Sequence, residues 1–124
     1  MVDINFILRK LGLHAKLKGY HYFSVAVRLI LKDEDYLFGL TRRLYPEIAA
    51  RYHTSPGCVD RDMRTAVQAI WEHGNLLFLQ EISGYEFLCR PTTGELLDIL
   101  VTYCQSQRNA NKKKKKVNTP VFKV

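Results

Sequence analysis

Between the pair Ser55-Pro56 and Gly74 the chain reads PGCVDRDMRTAVQAIWEH, and Val59, Met63, Ala66 and Ile70 step along it by four, three and four. At about 100° per residue these side chains line one stripe of an α-helix, a pattern that the two-residue period of a strand does not produce. Ser55 is a good N-cap, and Pro56, with its fixed φ and missing N–H, suits the first helical position. Gly74 ends what reads as the longest helical stretch. A helix with one apolar stripe needs other elements to cover it. With 124 residues there is room for one domain with a core, and not two.

The rest of the chain keeps the helical period. Ile4, Ile7, Leu8 and Leu11 recur at i, i+3, i+4 and i+7, and Gly12 closes that short run. Gly19 reads as a turn, after which Tyr22, Ala26, Leu29 and Ile30 follow helical spacing; the length of the run favours helix over strand despite its β-branched content. DEDYLFGLTRRLYP holds a third, shorter helix. Pro46 starts another, with Glu47 in the first turn, where the helix dipole favours an acid. NLLFLQEISGY is a short helix ended by Gly84. The last helix is capped by Thr92 or Thr93 and carries Leu96, Leu97, Leu100 and Val101. No alternating run or Asn-Gly hairpin signal suggests strands. The expected fold is all-α: a compact bundle of about six helices over residues 1–106, then a basic, disordered tail over residues 107–124.

Residues 47–64, EIAARYHTSPGCVDRDMR, fit a helix-turn-helix. Ala49 and Ala50 are small enough to let a second helix cross closely, and Ile48 and Tyr52 supply the buried face of the first. His53 falls where a left-handed backbone is needed, which histidine tolerates better than most non-glycine residues. On the second helix Gly57, Arg61, Arg64 and Gln68 cluster opposite the apolar stripe, with Asp60 and Thr65 at its margins. Arg61 and Arg64 lie one turn apart near the helix start, where a recognition helix meets base edges. The arginine fork can bond guanine O6 and N7 together. Asp60 can accept from cytosine N4 or hold an arginine in position. Periodicity alone leaves this surface undecided between a reader of DNA and a solvated helix face.

The formal charge of +7 does not decide it either. Of the 19 Lys and Arg, seven lie from Arg108 onward with no acid among them, leaving 12 basic against 12 acidic residues in the first 107. The tail lysines Lys112, Lys113, Lys114, Lys115 and Lys116 can add non-specific attraction to phosphate, weakened by salt. No apolar run is long enough to span a bilayer, and the N-terminus lacks the features of a signal peptide. Cys58, Cys89 and Cys104 have no CxxC spacing and read as reduced thiols of a cytoplasmic protein. Cys58, at a helix start beside Arg61, is a candidate for a lowered thiol pKa. His14, His21, His53 and His73 form no metal-ligand motif, and no catalytic or nucleotide-binding motif is present; neither enzyme activity nor a cofactor or metal is expected. The aromatics Tyr20, Tyr22, Phe23, Tyr45, Tyr52 and Trp71 read as core and helix-packing groups.

The segments LGLHAKLKGYHY, LYPEIAARY, VDRDMRTAVQAIWEHGN, GYEF and PTTGELL, in that order over residues 11–97, carry a more specific signal. Through them the chain resembles the C-terminal effector domain of stage 0 sporulation protein A, a response-regulator family of endospore-forming bacteria. The resemblance implies a six-helix domain whose recognition helix, about residues 56–73, enters the major groove of a double-stranded DNA operator, commonly as a head-to-tail pair. It also implies activation or repression of transcription, with RNA polymerase as a further partner. Arg61 and Arg64 match the family's base-reading arginines, and Asp60 matches its base-proximal glutamate, one methylene longer. Cys58 stands where the family has another arginine. Arg42 matches a lysine of the backbone-facing side, and Thr54 and Ser55 match turn hydroxyls suited to phosphate. Gly57, Cys58, Thr65 and Gln68 complete the expected flanking contacts.

The segment between Tyr85 and Pro91 is shorter than in that family, and the lysine tail has no counterpart there. The match begins about ten residues from Met1, which leaves no place in this chain for the family's phosphorylatable receiver domain. The chain is therefore expected to be either an excised fragment or, the preferred reading, a stand-alone effector domain, without phosphorylation control within the chain. The alternative is an interaction module that keeps the fold but has lost operator specificity, binding a partner protein or, through its lysine tail, non-specific nucleic acid.

Overall fold

A computed structural model describes residues 3–116, with side chains to residue 109. Its order is α1 (Ile4–Leu11), α2 (Lys18–Lys32), α3 (Asp35–Phe38), a π turn (Leu40–Leu44), α4 (Tyr45–Tyr52), α5 (Pro56–His73), α6 (Leu76–Ser83) and α7 (Thr93–Lys116). No strand occurs among the described residues. The all-α expectation of about six helices holds: seven α-helices are present among the described residues, of which α3 is barely one turn.

Local chemistry sets most boundaries. The Asp3 carboxylate caps α1 by accepting from Asn5 N–H at 3.0 Å, and Gly12 ends it in the left-handed region at φ 109°. Asn75 caps α6 by accepting from Phe78 N–H at 3.0 Å, and Gly84 ends it at φ 85°. Thr92 and Glu95 form a reciprocal capping box at the start of α7: Glu95 N–H donates to Thr92 Oγ1 at 3.1 Å, and Thr92 N–H to Glu95 Oε1 at 2.7 Å. Pro46 stands in the first turn of α4, as expected, but no break separates that helix from the element before it. The π turn, with Leu44 N–H bonded to Gly39 O at 3.0 Å, runs straight into α4. The wider register precedes the proline, whose missing N–H would interrupt the ladder of a continuous α-helix.

One core joins all the long helices. Phe23, Leu8, Leu11, Leu13, Ile30, Ile48, Met63 and Leu97 are fully buried within it. The stripe of α5 behaves as expected, with Val59, Met63, Ala66 and Ile70 all inside and Val67 joining them. α2 makes the most extensive contact with α5, and α4 crosses α5 next to it. Ser24, buried on α2, donates to Asn5 Oδ1 at 2.7 Å and ties α1 to α2.

Four sequence expectations change. Gly19 does not make a turn; it lies inside α2, buried against α5. A Cβ placed there would stand 2.5 Å from Asp62 O and 2.7 Å from Ala66 Cβ, so the glycine permits helix contact. Of the two alanines, Ala49 is buried and Ala50 exposed, so only the first serves the α4 crossing. Tyr52 is 41% exposed; Tyr45, Ile48 and Ala49 form the inner face of α4, and the Tyr52 ring rests edge-on against Tyr22 with centroids 5.1 Å apart. The longest helix is α7, with 24 residues against 18 in α5. It carries the backbone of residues 107–116 in helical form, where the sequence places the start of a tail; residues 117–124 lie outside the described residues.

Replacing Gly19 by alanine tests the close contact. Helix propensity favours alanine by about 1 kcal/mol, yet the overlap with Asp62 O forces α2 and α5 apart. Urea unfolding of Gly19→Ala is expected to show a net loss of about 1–3 kcal/mol.

Candidate nucleic-acid interface

The helix-turn-helix is built by α4, residues 53–55 and α5. His53 adopts φ 55° and ψ 48°, the left-handed conformation expected of the turn, and is the one non-glycine residue with positive φ among those described. Thr54 N–H then bonds Ala49 O at 3.0 Å, so the turn also closes on the first helix. Ser55 is extended, and its hydroxyl accepts from Cys58 N–H at 3.1 Å. This N-cap and Pro56 start α5 at the position that directs its first two turns outward.

On that outward side Gly57, Arg61, Arg64, Thr65 and Gln68 are exposed, and Cys58 and Asp60 are partly covered at its edges. Arg64 Nε lies 3.3 Å from Asp60 Oδ1, one turn back along the helix. Asp60 thus takes the second of the two tasks open to it, holding an arginine. Arg61 Nε lies 3.6 Å from Asp62 Oδ1. Exposed pairs of this kind contribute about 0–1 kcal/mol, enough to bias both guanidinium groups without locking them. The Thr65 hydroxyl donates to Arg61 O at 3.0 Å, and Gln68 Nε2 donates to Glu72 Oε2 at 2.9 Å. A Cβ at Gly57 would meet only Ser55 Oγ, at 4.0 Å, so packing does not demand glycine there.

The Cys58 thiol is held below its ordinary range. Hydrogen bonding with the Ser55 hydroxyl is the main cause and hydrogen bonding with Thr54 comes next; burial opposes them, and the Arg61 charge adds less than burial takes away. The direction matches the sequence reading, but the leading cause is the turn and not the arginine. Burial, and then Asp62, push the Tyr22 phenol up. Tyr45 is also raised, by burial first and Asp60 second.

The fold brings further groups to this surface. Lys18 and His21 of α2 line a groove of about 260 Å³ with Tyr22, Tyr52, His53 and Thr54, beside the turn. His21 Nε2 is 2.7 Å from Ala15 O, which makes that nitrogen the donor. Arg90 and the N-terminus of α7 flank Asp60 and Arg64 across a cleft of about 400 Å³. None of Lys18, His21, Arg90 or Asp62 is identified by spacing along α5; Asp62 is adjacent to Arg61 in the chain, where side chains do not share a face by periodicity alone. Arg42 is exposed on the π turn, and no hydrogen bond or ion pair joins it to α5 among the described residues. The side chains of Lys112, Lys113, Lys114, Lys115 and Lys116 lie outside the described residues.

Among the described residues no group of three or more His, Cys, Asp or Glu side chains is placed to hold a metal ion, and no helix is long and apolar enough to cross a membrane. The profile of the family described as Sporulation initiation factor Spo0A C terminal matches residues 4–104. The chain belongs to that family. The match runs from the start of α1 to the middle of α7 and so includes every element of the bundle, with the helix-turn-helix at its centre. Membership makes this a DNA-binding domain of transcription regulation related to sporulation, a family of DNA binders and not of enzymes.

Ser55 joins two effects that one substitution separates. Ser55→Ala is expected to lower stability by about 0.5–2 kcal/mol through loss of the cap. It is also expected to move the midpoint of Cys58 alkylation to higher pH, because the main group holding the thiol down is gone. Alkylation followed on the Cys58 peptide by mass spectrometry checks the second effect, and thermal unfolding the first.

Proposed function

We propose that this domain is a sequence-specific reader of double-stranded DNA, with α5 in the major groove and Arg61 and Arg64 bonding base edges. The observation that carries this is the division of α5. Its inner stripe is fixed in the core, while two arginines one turn apart stand exposed on the first half of its outer face. A helix held so firmly presents its outer side chains in a reproducible geometry, which base readout requires. Asp60 orients Arg64 and stands close enough to the same groove to accept from cytosine N4.

The flanking contacts follow the same docking. Thr54 and Ser55 at the turn, Gly57 with its bare Cα, Cys58, Thr65 and Gln68 border the arginines, and Arg42 meets the backbone from the π turn. These position the helix and carry no sequence information themselves. Lys112, Lys113, Lys114, Lys115 and Lys116 add sequence-independent attraction. Operator sites are taken by two copies head to tail, and transcription is altered through contact with RNA polymerase in the cytoplasm.

Selection of bound sequences from a random duplex pool, followed by titration of the selected and a scrambled duplex at physiological salt, tests the reading; equal affinities overturn it. Arg61→Ala is expected to reduce the preference by about 1–3 kcal/mol, measured as the ratio of the two dissociation constants. Replacing the five lysines at 112–116 by glutamine is expected to weaken both duplexes by the same factor and leave their ratio unchanged. Loss of the preference in that variant would move specificity away from α5.

A further inference from the structure

The cleft beside Arg64 holds a polar group that the fold leaves unserved. Thr93, the first residue of α7, is only 7% exposed and lines the cleft, yet its Oγ1 has no hydrogen-bond partner among the described residues. The Tyr45 phenol is near enough to interact weakly with this hydroxyl and lower the Tyr45 pKa, but the pair falls outside the geometry of a full hydrogen bond. A buried hydroxyl left in this way destabilises the fold, so a structural role alone gives no reason for it. Two further donors converge here. The N–H groups of Thr93 and Gly94 belong to the first turn of α7, where no intrahelical acceptor exists, and the Thr92–Glu95 capping box uses neither. The dipole of a 24-residue helix adds partial positive charge at this end.

The charges around the cleft leave one cation free. Arg64 is paired with Asp60, and Glu95 is engaged in the capping box. Arg90 is exposed and makes no ion pair among the described residues. One uncompensated guanidinium, two helix N–H groups and an unpartnered hydroxyl match the needs of a single phosphate: one negative charge and several acceptor oxygens. The cleft opens on the flank of α5 that carries Asp60 and Arg64, along which the strand bordering a major groove would run.

We infer that Arg90 and the N-terminus of α7 form a second, sequence-independent phosphate seat, occupied by a backbone phosphate of the duplex next to the bases met by Arg64. The inference rests on α5 being the DNA-facing helix. Within it the labour is divided: Arg64 reads, and Arg90 with Thr93 and Gly94 sets how deeply α5 enters the groove. A free phosphate would satisfy the same donors, so the test distinguishes the two sources.

In the full chain, Arg90→Ala and Thr93→Val are titrated with selected and scrambled duplexes over a range of salt concentrations. Arg90→Ala is expected to weaken both duplexes equally and to make the slope of log K against log salt shallower by about 0.9, the loss of one phosphate. Thr93→Val, which keeps the side-chain shape, is expected to weaken both by about three- to tenfold with no fall in melting temperature. An unchanged slope in Arg90→Ala overturns the seat. So does a change in the selected-to-scrambled ratio, which would make Arg90 a base reader. A melting temperature lowered in Thr93→Val with binding intact overturns the role given to the hydroxyl. Inorganic phosphate is then followed through the amide resonances of Thr93 and Gly94. Its displacement by duplex is expected; simultaneous binding of both assigns the seat to a free anion and overturns the DNA assignment. The slope measurement runs equally well on scrambled duplex, so failure of base reading and failure of the seat are separate results.

Discussion

At Gly19 helix α2 approaches α5 so closely that a single methyl group would strike the carbonyl of Asp62. This contact holds the inner side of α5 at the level of Asp62 and Ala66, directly behind the turn that carries Arg61 and Arg64. Everything proposed for the outer face depends on it. A DNA-facing helix gains nothing from well-placed arginines if it can roll or shift by an ångström, because bidentate bonding to a base edge tolerates little displacement. Rigidity is supplied from behind, by backbone-to-backbone proximity that only glycine permits and by Val59, Met63 and Ile70 in a closely packed interior. A second close contact fixes the far end of the same helix: Asn75 N–H bonds Leu11 O at 3.0 Å, and Gly74 packs directly on that turn of α1.

The polar surface in front is softer. The arginines of α5 are paired with Asp60 and Asp62 at 3.3 and 3.6 Å, in water, where such pairs bias conformation and exchange readily. That combination suits a surface that must give up its internal partners on meeting a polyanion. The turn adds its own influence: hydrogen bonding with the side chains of Ser55 and Thr54 lowers the Cys58 thiol pKa.

Much of this was legible along the chain. The α5 stripe, the Ser55 cap, Pro56 at the first position and the left-handed His53 all follow from rules acting over one to four residues, and each is found as expected. Gly19 and Tyr52 behaved differently for a shared reason: their conformations are set by neighbours distant in sequence. Gly19 reads as a turn because glycine is a poor helix former, yet it sits mid-contact because α5 needs the space. Tyr52 has the spacing of an inner residue, but α2 fills the interior there and leaves its ring at the edge against Tyr22. The handover before Pro46 was not legible because a π turn has no spacing of its own in the apolar pattern.

The sequence by itself determined the helical class, the limits of the helix-turn-helix and the identity of the residues on the outer face of α5, because periodicity and capping are local. Its flanking motifs also pointed to the family to which the chain belongs. Only the tertiary structure decided which groups stand beside that face. Arg90 and the start of α7 meet Arg64 across a cleft, and Lys18 and His21 come to the turn, because α2 and α7 pack against α5 from positions far away in the chain. Contacts of that kind depend on how whole helices share one core, and no local spacing encodes them.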